Sequence, residues 1–459
     1  MKENIKFETI GNATIICYDD KPVLVTDPWF DGNPYFGSWA LSHEIPEKQR
    51  FAINASEYIW ISHGHPDHLI PDSINHLKHK KILLPDHYGK RIFHGLSEQG
   101  FNVKIIKDKE WINISENIKI MSLCDFNQDA VLLIDINGRL IINMNDCVAY
   151  GWSKYIRNIV KKYNISFYLR LYAGYADMCN FFDEDGRQIN VFESPPIGSY
   201  ISKDTDYWGA KYFIPFSSFH QMARTDSAWL NKYLIDPNEY QIGYQSDKSE
   251  ILSPFIQYDC IKDDWKPLEP KRQKKELVDP REYGDIWSDE LEGDEYKMAK
   301  YYFQSIEHLY GFIDFINLKV GNKDNIIEFK GKKFNKGITF EAPRNSLVTA
   351  INYEVFDDMM IGNFMKTTLH GNWSEDRLYP NITPYIAKYG DNGKAKTKEN
   401  LEEYFREYRK RYGIQGIIDL FQHKIELKTK NIYRDYLPRD SWFYQKSKML
   451  YYKMRSKAF

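Results

Sequence analysis

Hydrophobic and polar positions in the first half of the chain recur in short runs. "NATIICYD" and "PVLVTD" are β-branched runs around Asp20 and Lys21, which reads as a hairpin. "YIWISHG" is a buried strand, and "DSINHLKHK" is a short helix with Asp72 or Ser73 available as its cap. "KILLP", "NVKIIKD" and "IKIMSLC" continue as strands, and "AVLLIDINGRLIINMND" folds back at an Asn-Gly turn. "SKYIRNIVKKY" has helical spacing, with Tyr155, Ile156, Ile159, Val160 and Tyr163 on one face. "ISFYLRLYAG" and "AKYFIPFSSFH" are strands that end in polar residues. Strands alternating with helices, but with hairpins among them, predict a mixed α/β sandwich.

The pattern changes between residues 262 and 298, where charge and proline are dense and apolar periodicity fades. Beyond it, "YKMAKYYFQSIEHLYGFIDFIN" has a helical period, and the runs that follow read as a small α+β module. "KENLEEYFREYRKRYG" is an amphipathic helix with Leu401, Tyr404, Phe405 and Tyr408 inward. The expected organisation is a domain over residues 1–262, a charged connector over 263–298 and an α+β module over 299–459.

Composition narrows the function classes. At 459 residues, 42% hydrophobic and 27% charged, the chain has globular proportions, and its net charge of −2 gives no footprint for nucleic acid. Five scattered cysteines without a CxxC pair suit a reducing compartment, so a cytoplasmic location is expected. Neither a signal peptide nor a membrane-spanning stretch is evident. The tail "YQKSKMLYYKMRSKAF" has basic residues and no acidic one, which suits peripheral membrane contact or a solvated helix. Aromatic residues make up 16% of the chain, from compositional bias or from rings lining a site.

"SHGHPDH" carries the chemistry. His63, His65, Asp67 and His68 crowd the mouth of a strand. On an extended backbone His63 and His65 point the same way, and the turn at Pro66 returns Asp67 and His68 toward them. Imidazole nitrogens and a carboxylate suit zinc or iron. One metal would take His63 and His65, and a second Asp67 and His68.

This string after a strand resembles the signature of the metallo-β-lactamase fold, an αββα sandwich. Other landmarks follow in that superfamily's order. Asp27 in "LVTDPWF" matches its first aspartate, Asp146 in "LIINMNDC" its metal-bridging carboxylate, and His220 in "PFSSFH" its last metal histidine. The superfamily's further histidine before the bridging aspartate is missing. Asp125 is the expected substitute, with Asn127 and Asp129 beside it, and His76, His79, His87 and His94 lie in the same interval. A carboxylate there would shift preference from zinc toward iron or manganese.

"TDPWFDGNPYFGSW", "NMNDC", "LYAGYADMCNFFDEDG" and "IPFSSFH" together are similar to the metallo-β-lactamase-fold portion of the CMP-N-acetylneuraminate hydroxylase family. That family also carries a Rieske iron–sulfur module with Cys-x-His and Cys-x-x-His ligands. No cysteine here has a histidine at either spacing, so oxygen chemistry would need an external electron donor. The resemblance implies one or two divalent metal ions and a small-molecule substrate, with a nucleotide sugar preferred. In the hydrolytic reading a metal-activated water attacks a phosphoester, ester or amide, Asp67 orients it and Asp146 bridges the metals. In the alternative the same ligands hold iron for an oxygenase. Arg170, Tyr172, Tyr175, Asp177, Ser217 and Ser218 are the residues expected to meet substrate.

Overall fold

A computed structural model describes residues 4–172, 180–189, 197–274, 276–331, 333–373 and 377–414, together with residues 416 and 418. Two sheets face each other. The first has eight strands, in the order Asp264–Pro267, Ile256–Asp259, Ile5–Ile10, Thr14–Asp19, Lys21–Thr26, Tyr58–Trp60, Lys81–Pro85 and Asn102–Ile106. The second has seven: Glu250–Ile251, Tyr212–Pro215, Ser166–Arg170, Arg139–Asn145, Ala130–Ile136, Ile118–Cys124 and Ile112–Asn113.

Both faces of the central strands of the first sheet are buried, and alternate residues divide between them. Ile15, Cys17, Trp60 and Leu83 enter the core between the sheets. Ile16, Tyr18, Ile59 and Ile82 turn outward and pack with Ala52 and Ile53 of helix Glu47–Ala55 and Leu96 of helix Arg91–Glu98. Helix Ser153–Val160 buries Ile156, Ile159 and Val160 against the second sheet, with helix Gly198–Trp208 beside it. Helices on both outer surfaces give the αββα sandwich expected from the sequence. The "DINGR" hairpin forms as its residues dictate: Asn137 and Gly138 have φ of 49° and 79°, a pair of left-handed positions that Asn-Gly adopts most readily.

Local details depart from expectation. Helix Pro71–Ile74 starts on its proline, and neither Asp72 nor Ser73 caps it. Ser73 Oγ instead accepts the backbone N–H groups of Phe30 and Asp31 at 3.0 and 2.9 Å. The helical period from residue 296 onward ends early: the helix is Gly293–Gln304, and Phe315–Val320 is a strand.

That strand belongs to a third sheet, in the order Phe181–Asp183, Lys366–His370, Gly337–Glu341, Phe315–Val320 and Lys323–Glu328. Its core is separate and is covered by helices Gly293–Gln304, Arg344–Asn352 and Asp357–Ile361. Buried Asp285 links the two bodies, pairing with Arg224 Nη2 at 2.7 Å and accepting the Ser346 backbone N–H at 2.9 Å.

A final helix over 398–414 returns to the sandwich. Tyr404, Tyr408 and Tyr412 are buried there, and Tyr412 meets Trp152 edge-on at 5.2 Å. Part of the aromatic content thus serves docking of one body on the other. Cys17, Cys124, Cys147 and Cys260 are free and buried. No helix among the described residues is long and apolar enough to cross a membrane.

Candidate metal centre

The loops that carry the predicted ligands leave the carboxyl ends of neighbouring parallel strands, where open α/β sheets form their crevices. Lys21–Thr26 delivers Asp27, Tyr58–Trp60 the 62–68 loop, Arg139–Asn145 Asp146, and Tyr212–Pro215 Ser217. Asp27 ties the loops together. Its Oδ1 accepts the Ser62 backbone N–H at 2.7 Å, and its Oδ2 accepts Asn145 Nδ2 at 2.8 Å and lies 3.3 Å from His68 Nδ1. Asp27, Tyr35, Asn145 and Ser217 have φ of 39°, 57°, 51° and 57°. Each such residue costs about 1–3 kcal/mol, and their concentration here marks a site held against local preference.

The histidines sort into inward and outward nitrogens. His63 Nε2 and His65 Nδ1 lie 2.9 Å apart. His68 Nε2 and His63 Nε2 face Asp146 Oδ2 at 3.9 and 3.8 Å. His63, His68 and Asp146 each offer a ligand atom, all within 4.8 Å of one another. The outward nitrogens are occupied: His63 Nδ1 by Ser62 Oγ at 2.9 Å, His68 Nδ1 by Asp27, and His65 Nε2 by Asp357 Oδ2 at 3.1 Å. Asp67 is held by the Tyr35 hydroxyl, by Asn12 Nδ2 at 2.9 Å and by His68 Nε2 at 3.1 Å.

Electrostatics follow from this crowding. Burial drives His63 well below its ordinary range, helped by the charges of His68 and His65. Burial would lower His68 too, but Asp67 and Asp27 outweigh it and hold the imidazolium well above its usual range. Burial works against ionised Asp67, yet His68 and Tyr35 keep its carboxyl far below normal. Burial pushes Asp146 up.

His220 is buried and stacks on Trp39 with ring centroids 3.5 Å apart. Burial depresses it to about 4, and Asp67 is the charge it feels. Neither of its ring nitrogens has a partner among the described residues. An unsatisfied buried imidazole is costly, and a divalent ion is one group that would satisfy it. The donor set, imidazoles with carboxylates, suits zinc or iron.

The other predicted residues make contacts of their own. Asp125 turns back on its own loop, accepting the Asn127 backbone N–H at 2.8 Å and the Cys147 thiol at 3.3 Å. Burial and Asp129 raise it to about 7. Asp129 pairs with Lys388 at 3.3 Å. Arg170 and Tyr172 both bind Asp204, at 3.0 and 2.6 Å. Ser217 Oγ donates to Asp146 at 3.2 Å, whereas Ser218 Oγ donates to the Phe216 carbonyl at 3.3 Å. Tyr175, Asp177 and the basic tail lie outside the described residues. Of the histidines in the interval, His76, His79 and His94 are exposed. His87 is buried, with Nε2 3.0 Å from the Ser62 carbonyl.

Sequence reasoning missed Asn12, Tyr35, Asp357 and Lys388. Tyr35 sits in the "TDPWFDGNPYFGSW" stretch, whose two glycines and φ-positive Tyr35 and Phe36 signal an unusual loop. Asp357 and Lys388 carry no local signal. Burial alone would raise Asp357, but His65 and Lys388 hold it down as a carboxylate.

No family model matches the chain. The cytidine monophosphate-N-acetylneuraminic acid hydroxylase of Danio rerio is 28% identical over 133 residues, 27% of this chain and 22% of that protein. Its counterpart in Asterias rubens is 31% identical over 134 residues, 27% and 20% of the two chains. The inactive Homo sapiens protein is 20% identical over 291 residues, 60% and 57%. The chain thus spans less than two thirds of the length of these relatives. Among solved structures, CmlA, a diiron β-hydroxylase from Streptomyces venezuelae, has a TM-score of 0.35 at 12% identity, covering 56% of this chain and 55% of its own. An isothiocyanate hydrolase from Delia radicum gut bacteria has a TM-score of 0.34 at 16% identity, covering 55% and 98%. In architecture the chain is an αββα sandwich, as the resemblance to the metallo-β-lactamase fold implies, and in sequence it resembles the cytidine monophosphate-N-acetylneuraminic acid hydroxylases.

Proposed function

We propose that the chain is a metal-dependent hydrolase of a small phosphoester, ester or amide, with a nucleotide sugar as the preferred substrate class. The convergence of His63, His68 and Asp146, with the outward histidine nitrogens already occupied, carries this reading. In it, residues 1–262 hold the centre and the module beyond residue 299 closes it. His63, His65, Asp67, His68, Asp146 and His220 would hold a divalent ion, which would supply Lewis acidity and lower the pKa of bound water toward about 7. Asp67 would orient that water by accepting its hydrogen bond. Tyr35 and Asn12 fix the Asp67 carboxylate for that task. Asp146 Oδ2 faces both His63 and His68, where it would help hold the metal, and Ser217 fixes its other oxygen. The buried free thiols suit a reducing cytoplasm.

The hydroxylase names of the sequence relatives favour a second reading: iron at the same residues, dioxygen as oxidant and an external electron donor. Purification without oxygen, metal counting and assays on CMP-linked sugars and simple phosphodiesters test both readings. One or two zinc or iron ions per chain, with turnover indifferent to dioxygen, are expected. Strict dioxygen and reductant dependence with iron would move the assignment to the second reading. A wild-type chain that takes up neither metal would overturn both.

A further inference from the structure

His65 differs from its neighbours in where its outward nitrogen finds a partner. His63 Nε2 and His65 Nδ1 point at each other's space, 2.9 Å apart, so Nδ1 is the nitrogen of His65 that looks inward. Nε2 then points away, across the boundary between the two bodies, to Asp357 Oδ2 at 3.1 Å. Asp357 is 5% exposed and His65 9%, so this contact is shielded from solvent. Nδ1 is free to donate its lone pair only if Nε2 carries the proton. A carboxylate opposite Nε2 favours that tautomer.

The position of Asp357 is fixed by the sandwich. Just before helix Asp357–Ile361, Arg91 donates to the carbonyls of Glu354, at 2.8 Å, and Tyr353. Just after it, Ser38 Oγ donates to the Gly362 carbonyl. Both clamps come from the sandwich and hold the short helix on either side of its acidic residue. A second module residue faces the same region: Lys388, on the wide helical turn Pro384–Asn392, pairs with Asp129. The module is therefore seated on the sandwich at several points around the 62–68 loop.

We propose that Asp357 is a positioning residue for the metal centre: it holds His65 in the Nε2-protonated tautomer with Nδ1 turned inward, so the C-terminal module completes the centre. This rests on the metal reading above and deepens it. A site built wholly on the sandwich would bind metal without the module. Here one ligand is oriented by a residue 292 positions further along the chain.

The test uses the full chain with Asp357→Ala, which removes the contact, and Asp357→Asn, which keeps the shape but weakens the acceptor. Zinc and iron(II) affinities are measured by competition with a chelating dye, and the His65 tautomer in metal-free protein by nitrogen-15 NMR. Outer-shell partners of metal histidines typically contribute about 10–100-fold in affinity, and a loss of that size is expected for Asp357→Ala. Asp357→Asn should fall between it and wild type. The wild-type His65 signal should be that of the Nε2-protonated ring and should shift toward a mixture in Asp357→Ala. Thermal melting of the metal-free variants separates this from unfolding. Wild-type affinity in both variants, or an Nδ1-protonated His65 in the wild type, overturns the proposal while leaving the metal reading intact. A wild-type chain that binds neither ion overturns both together.

Discussion

His68 takes its outward partner from Asp27, within the sandwich, whereas His65 takes its own from Asp357 in the module. The two carboxylates differ in how much else depends on them. Asp27 also accepts the Ser62 backbone N–H and the Asn145 amide, so it welds three loops. Asp357 meets His65 through its side chain, and its helix is held by other residues. Asp27 should therefore govern whether the site exists, and Asp357 how well one ligand is aimed.

The sharpest way to break that comparison is Asp27→Ala. It leaves a buried amide N–H, the Asn145 amide and His68 without their acceptor. Removing one partner of a buried charged pair costs about 3–5 kcal/mol. Urea unfolding of the metal-free chain should show a loss of that size, together with loss of metal binding. Asp357→Ala should cost far less stability at the same site. Equal destabilisation by the two variants would erase the proposed division of labour.

The same division explains what could be read from the sequence. The crowding of His63, His65, Asp67 and His68 was legible from their short spacing after a strand, whereas Asp27 and Asp146 were picked out by the family resemblance; the fold brings Asp27, His68 and Asp146 together. The αββα layers were legible because Ile15 and Ile16, or Ile82 and Leu83, are all apolar and serve opposite faces of one strand. Asp357 was not, because "EVFDDMM" looks like any helix start, and its partner lies in another body. Asp125 was the expected ligand from its place in chain order. The backbone instead folds it onto Asn127 and Cys147, a local arrangement that no spacing rule encodes. Arg170 ends its strand and Tyr172 follows it, and both meet Asp204 on a neighbouring helix, a contact that their spacing did not announce.

Acid sensitivity sharpens the comparison from the sandwich side. Burial pushes His87 down to about 4, against an ordinary value near 6.5. The unfolded chain therefore takes up a proton that the folded chain refuses. The contribution of His87 is complete above about pH 6.5 and is lost as pH falls toward 4. That interval corresponds to roughly 3–4 kcal/mol at most. His220, also near 4, adds a loss of the same sign. His68 opposes them: held above its ordinary range, it stabilises below about pH 6.5, an effect lost as pH rises through its folded value. Metal-free His87→Gln should lose less stability between pH 6.5 and 4.5 than wild type. Parallel slopes for the two proteins would remove His87 from the account.

The smallest expected effect lies at the clamp rather than at either carboxylate. Arg91 donates to Glu354 and Tyr353 carbonyls and to Asn392 Oδ1 at 2.8 Å, joining the module to the sandwich beside Asp357. It touches no proposed ligand. Arg91→Ala should cost about 1–2 kcal/mol of stability, since the partners it abandons are partly exposed and regain water. Its effect on the centre should pass only through the seat of helix Asp357–Ile361. Metal affinity should therefore fall by less than in Asp357→Ala. In the double variant, the two losses should be less than additive, because Arg91 matters to the metal only while Asp357 is there to be positioned. Fully additive losses in dye competition would mean that Arg91 reaches the centre by another route, and that the module holds His65 less specifically than the buried Asp357 contact implies.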